Sequence, residues 1–288
     1  MPVIETSAGR LSYFDSAPAA DNVPTLLLLH SSGASHRQWR QLVAQTAQSW
    51  RILAPDLFGY GGTPLPEAEA QPASILQAEM DLLGALLGQV EGTVHVVGHS
   101  YGGAVALELA LLHPARIAAL AVYEPVMFAL LRDSENQDAW REIVDVGQRM
   151  VDLAAAGDLR QAASDFLAYW IMPGAFEAMP EPQQATLTAG MHKVAAEFGA
   201  LLQRRDARPD FSALTMPLLL LCGSDTTRAA RGVSAELRRL LPAADVRDVA
   251  GGRHMAPLQQ PDLVNPLLLD FLNRTASWSA QEAQRKAG

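Results

Sequence analysis

The pentapeptide Gly98-His99-Ser100-Tyr101-Gly102 fits G-x-S-x-G and falls between a strand-like apolar run, Thr93 to Val97, and a helix-like one, Ala104 to Leu112. So tight a strand-to-helix reversal strains its central residue and leaves no room for side chains two positions before and after it. The glycines meet that need. Ser100 Oγ would then stand above a sheet at a helix N-terminus, whose dipole favours developing negative charge. A glycine-rich turn with Ser100 only as helix cap is the alternative, and the strand–turn–helix context favours catalysis.

A hydroxyl of ordinary pKa needs a base. Of the seven histidines, His254 stands out, in the loop Gly251 to Pro257 between the final strand and the last helix. His95 alternates into a strand, His99 belongs to the turn and His30 ends a strand. His36, His113 and His192 read as surface or helix residues. No histidine pair has metal-ligand spacing with acidic neighbours, so neither a metal nor another cofactor is expected.

The elements that must position these residues alternate in type. A hairpin over Pro2 to Phe14 precedes strands at Thr25 to Leu29, Arg51 to Ala54, Thr93 to Val97 and Ile117 to Tyr123. Helical spacing appears at Gln38 to Gln48, Ile75 to Val90 and Ala104 to Leu112. Strands that are apolar throughout, alternating with helices, predict an α/β fold with a mostly parallel sheet covered on both faces. After Glu124-Pro125 the rhythm changes to helices only: Trp140 to Ala155, Arg160 to Ile171 and Gln183 to Leu202. Strand patterns return at Leu218 to Cys222 and around Val246, and a last helix spans Asp262 to Leu272. The expected division is an α/β core over 1–130 and 206–274, a helical cap over 131–205, and a flexible tail over 275–288.

Composition narrows the function. At 288 residues, 49% apolar and 18% charged, the chain can bury a large core. A net charge of −9 with no basic cluster disfavours nucleic acid and anionic membrane as partners. The one cysteine, Cys222, allows no intrachain disulfide and reads as a buried inert thiol. No secretory pattern opens the sequence and no apolar run could span a bilayer, so a cytoplasmic protein is expected.

The strand ending in His30-Ser31-Ser32-Gly33, the Asp56-Leu57-Phe58-Gly59-Tyr60-Gly61 turn, the Ser100 elbow and the His254 loop together resemble the α/β-hydrolase fold superfamily. The resemblance runs over roughly Pro2 to Leu272, with the helical insertion where that family carries its cap. It implies a serine nucleophile and an oxyanion hole made by the backbone N–H groups of Tyr101 and Ser32. Ser31 departs from the family's usual glycine; its hydroxyl is expected to serve the turn.

The acid that orients His254 has two candidates. Most family members place it after the strand that follows the cap, where Asp225 lies, although Asp225 is two residues past Gly223 and Thr226 fills the usual slot. Glu124, ending the strand before the cap, resembles the minority arrangement of pancreatic-type lipases and zearalenone-lactonase-like hydrolases. With the family's strand order, Glu124 lies one strand from the elbow and Asp225 two, about 5 against 10 Å sideways. Glu124 is preferred, with Asp225 as alternate.

Around the site, Ser31, Phe128, Trp170 and Met172 are candidate substrate contacts. They favour an uncharged, hydrophobic carboxylic ester or lactone as the small-molecule partner. The same residues would also serve acyl transfer, perhydrolysis or C–C hydrolysis, and a non-catalytic ligand receptor is the alternative from another class.

Overall fold

The computed structural model describes residues 1–6, 9–17, 23–65, 75–204 and 209–287. Eight strands form one sheet in the order β1-β2-β4-β3-β5-β6-β7-β8. They are β1 (Val3–Thr6), β2 (Gly9–Asp15), β3 (Thr25–Leu29), β4 (Arg51–Pro55), β5 (Val94–His99), β6 (Ile117–Tyr123), β7 (Leu218–Gly223) and β8 (Asp245–Val249). The N-terminal hairpin joins antiparallel, and every pairing from β4 to β8 is parallel.

Side-chain alternation explains why the central strands read as continuous apolar runs. Leu26 and Leu28 enter the core on one face of β3, Leu27 and Leu29 the core on the other. Leu219 and Leu221 oppose Leu218 and Leu220 in the same way along β7. A strand covered on both sides has no polar face to reveal a period of two. One face carries α1 (Arg40–Thr46) and α10 (Pro261–Ala287), the other α2 (Ile75–Gly88), α3 (Tyr101–Leu112) and α8 (Arg228–Leu240). In α3 every residue except Glu108, Leu111 and Leu112 is fully buried, as an all-apolar helix beneath a second layer must be.

Among the described residues, four α-helices separate β6 from β7: α4 (Gln137–Ala155), α5 (Leu159–Trp170), α6 (Glu181–Ala189) and α7 (Met191–Leu202). The single helix expected over Gln183 to Leu202 is two, broken at Gly190, whose N–H reaches back to Thr186 and Leu187 carbonyls. Helix α8 was not foreseen. Helix α10 continues to Ala287, through the segment expected as a tail, whose sequence is rich in Ala, Gln, Glu, Arg and Lys, all good helix formers. A short helix, α9 (Ala256–Gln259), follows the His254 loop. Among the described residues no helix is long and apolar enough to cross a membrane.

Candidate active site

Strands β5 and β6 pair in parallel with His99 opposite Tyr123, so the next residues, Ser100 and Glu124, leave the sheet side by side. Both take a left-handed backbone, Ser100 at φ 55° and Glu124 at φ 43°. That conformation costs an L-residue on the order of 1–3 kcal/mol and persists only where surroundings over-determine it. Here they do: Ser100 N–H donates to the Tyr123 carbonyl at 3.0 Å, and the Ser100 carbonyl accepts from Ala104 at 3.0 Å and Val126 at 3.2 Å. The flanking glycines are obligatory for space. A Cβ at Gly98 would run into the Gly102 carbonyl, and one at Gly102 into the carbonyls of Leu29 and His30.

His254 stands between the two. Its Nε2 is 2.9 Å from Ser100 Oγ and its Nδ1 is 2.7 Å from Glu124 Oε2. With Nδ1–H donating to the carboxylate, Nε2 is free to accept from the serine hydroxyl. Glu124, fully buried, collects more donors: Gly223 N–H at 2.7 Å and the Cys222 thiol at 3.8 Å on Oε1, and Thr226 Oγ1 at 2.6 Å on Oε2. Thr226 thus occupies the slot where the usual acid would stand and donates to Glu124.

Asp225 is corrected as alternate acid. It is exposed, its N–H is spent on the Gly252 carbonyl at 2.9 Å, and its carboxylate accepts from Ser224 Oγ at 2.9 Å. Sitting one residue short of Thr226, it turns outward.

Three groups position His254, and two of them, His99 and Tyr123, were not singled out for that role in the sequence. His99 Nε2–H donates to the His254 carbonyl at 2.8 Å, and Tyr123 OH donates to the Arg253 carbonyl at 2.8 Å. The paired residues that precede Ser100 and Glu124 therefore also hook the main chain of the histidine loop. The third is Trp170, whose ring lies on His254 at 3.9 Å between centroids and 28° between planes. It comes from α5, so the helical insertion covers the imidazole directly.

The Tyr101 amide begins α3 and has no acceptor within the helix. The loop bearing Ser32, the other expected oxyanion donor, follows β3, which pairs with β5 up to Leu29 opposite Gly98. Ser32 Oγ donates to Glu197 Oε2 of α7 at 2.5 Å. Two other expectations need correction. Ser31 is buried and its hydroxyl bonds Gln38 Oε1 at 2.9 Å, because Gln38 folds back under the loop. Met172 is 54% exposed, lying past the end of α5 on the outer surface. Phe128 is buried, stacked on Phe198 at 5.7 Å and near Trp170 at 6.4 Å.

The remaining buried histidines are structural. Burial lowers the pKa of His30 to about 4, and that of His95 to about 4. Burial, reinforced by neighbouring His254, holds His99 well below its ordinary value. An unfolded chain binds these protons near pH 6.5 and the folded chain does not, so stability is complete above that pH and falls as pH drops toward 4. By pH 5, His30 and His95 would each cost on the order of 2 kcal/mol. Glu197, raised by burial, opposes the trend with one group against three. A urea midpoint clearly lower at pH 5 than at pH 7.5 is expected; an unchanged midpoint would mean these imidazoles are protonated in the fold.

A sequence model of the alpha/beta hydrolase family matches residues 26–267, and the chain belongs to that family and is a hydrolase. It is 27% identical over 258 residues to a protein of Pantoea ananatis named as a candidate carbamate hydrolase, RutD, covering 88% of this chain and 90% of that one. It is 30% identical over 213 residues to the pimeloyl-[acyl-carrier protein] methyl ester esterase of Aeromonas hydrophila, covering 69% of this chain and 76% of the relative. The enol-lactonase of Burkholderia xenovorans shares the fold with a TM-score of 0.73 at 20% identity, over 94% of this chain and 100% of the other.

Proposed function

We propose that the protein is a serine hydrolase of uncharged, hydrophobic carboxylic esters or lactones, with Ser100, His254 and Glu124 as its catalytic triad. The observation that carries this reading is the unbroken hydrogen-bonded line from Ser100 Oγ through both His254 nitrogens to Glu124. Ser100 Oγ attacks the acyl carbonyl while His254 Nε2 takes its proton. The carbonyl oxygen, now anionic, is held by the amides of Ser32 and Tyr101. His254 returns the proton to the leaving alkoxide, the alcohol departs, and Ser100 keeps the acyl group. Water, deprotonated in turn by His254, releases the acid and restores the serine. Glu124 fixes the imidazole tautomer and stabilises the imidazolium without taking the proton. A lactone follows the same steps, its alcohol and acid remaining in one molecule.

Support for an uncharged substrate comes from the apolar cover. Trp170 and Phe128 come from the insertion and its approach, and we assign residues 131–205 the role of a cap over the acyl site. The named ester hydrolysis of the Aeromonas relative supports an ester, while the carbamate activity named for the Pantoea relative is the nearest rival chemistry. The test is a series of p-nitrophenyl esters of increasing acyl length, beside simple lactones and an aryl carbamate. Hydrolysis of esters or lactones with a distinct chain-length optimum is expected. Turnover of the carbamate alone would overturn the substrate class.

A further inference from the structure

Only two lysines occur in the 288 residues, and one of them, Lys193, is completely buried. Its Nζ is 2.9 Å from Glu79 Oε1 of α2 and 2.7 Å from Glu197 Oε1 of its own helix, α7. It also lies 4.3 Å from the ring centroid of Tyr101, the residue after the candidate nucleophile. Two carboxylates against one ammonium leave an acceptor surplus in the interior, and a buried carboxylate short of donors is costly. Glu79 gains the Phe58 N–H at 3.3 Å. Glu197 gains Tyr60 OH at 3.0 Å on Oε1 and Ser32 Oγ at 2.5 Å on Oε2. Every polar partner of Glu197 is a donor, and one of them belongs to the loop whose amide would face the oxyanion.

The insertion touches this loop a second time. Gly33 has φ +67°, and a Cβ there would lie 2.8 Å from Leu187 of α6. The loop is pinned from above by Leu187 and laterally by Glu197, both outside the α/β core.

We propose that Glu197 is a positioning residue of the oxyanion hole: held by Lys193, which Glu79 anchors in turn, it fixes the Ser32 hydroxyl and so aims the Ser32 N–H at the carbonyl under attack. The inference rests on the serine-hydrolase reading above. On this view the insertion does more than cover the site, because one side of the hole takes its shape from α7. The link is enforced by the carboxylate's own requirement: releasing Ser32 strips a buried Glu197 of one donor, so the loop stays docked. Burial holds the Glu197 carboxyl above its usual range in spite of Lys193, consistent with a group that depends on each donor it has.

The test uses the full-length protein and the second-order rate of labelling by a fluorophosphonate, whose phosphoryl oxygen enters the same hole, together with kcat and KM on a p-nitrophenyl ester. Ser32→Ala keeps the amide and removes only the hydroxyl. It is expected to slow labelling and kcat at least about tenfold, part of the roughly 10²–10³ lost with a whole donor, with KM changed less than about threefold. Glu197→Gln is expected to do the same alone but to add less than about twofold in the Ser32→Ala background, as residues acting through one contact do. Wild-type labelling rates in Ser32→Ala, or independent multiplicative losses in the double variant, would overturn the proposal. Ser32→Ala decides the matter even if Glu197→Gln does not fold. Failure of the wild-type protein to label at all would instead overturn the serine-hydrolase reading on which it rests.

Discussion

Ser100→Ala is expected to abolish covalent labelling by a fluorophosphonate and to lower ester turnover by about 10⁴-fold or more. The size of the effect follows from the absence of a substitute. The chain's one thiol, Cys222, is buried with Sγ 3.8 Å from Glu124 Oε1, and burial with that carboxylate beside it pushes its pKa up to about 11. A protonated thiol behind the acid cannot replace an alkoxide in front of the base. What survives in the alanine variant is the oxyanion hole and binding, which alone retain a small acceleration over water. Active-site labelling followed by peptide mapping checks this; label retained in the variant would place the nucleophile elsewhere.

Glu124→Gln is expected to lower kcat by about 10³–10⁴-fold, whereas Asp225→Asn should leave it within about twofold. Besides the weak Cys222 thiol, three donors converge on Glu124: Gly223 N–H, the Thr226 hydroxyl and His254 Nδ1–H. A glutamine offers one acceptor oxygen and one NH₂. Placing the oxygen toward Gly223 puts the NH₂ against His254, which must then accept at Nδ1 and carry its proton on Nε2. The imidazole would donate toward Ser100 instead of accepting from it, the wrong tautomer for a base. Asp225 has no such link, since its carboxylate is tied to Ser224. Steady-state kinetics of the two variants suffice, and equal mild losses would mean that neither carboxylate orients His254.

The placement of Ser100 beside His254 was legible because the cues are local: glycines at fixed offsets around Ser100 and a lone loop histidine after the last strand. The acid was narrowed to two residues but not one, because the choice depends on the β6–β7 pairing and on which way the chain turns after Gly223, both non-local. Thr226 marked the departure without saying what it did. The parallel sheet was legible in its unbroken apolar runs, and Ile117–Tyr123 begins and ends where expected. Helix α8 was missed although its arginines mark one face: the face it buries is largely Ala229, Ala230, Gly232 and Val233, too small to stand out as an apolar stripe. Ser31 was drawn to the site by its place in the oxyanion loop and Met172 by its unbranched apolar side chain; the first bonds Gln38 and the second is exposed. The Glu79–Lys193–Glu197 cluster left no trace, its members lying 114 and 4 residues apart.

The adjacency of Ser100 and Glu124 on paired strands has a consequence for how such a protein can change. Their spacing is set by the β5–β6 ladder, so exchange of the helices between β6 and β7 for a foreign segment would leave the attacking group and its acid in register. On the proposed reading the triad lies in the α/β core, while the insertion supplies the cover of the pocket and one support of the oxyanion loop. A donor segment would bring its own pocket, but it would have to bring a carboxylate at the position of Glu197 as well.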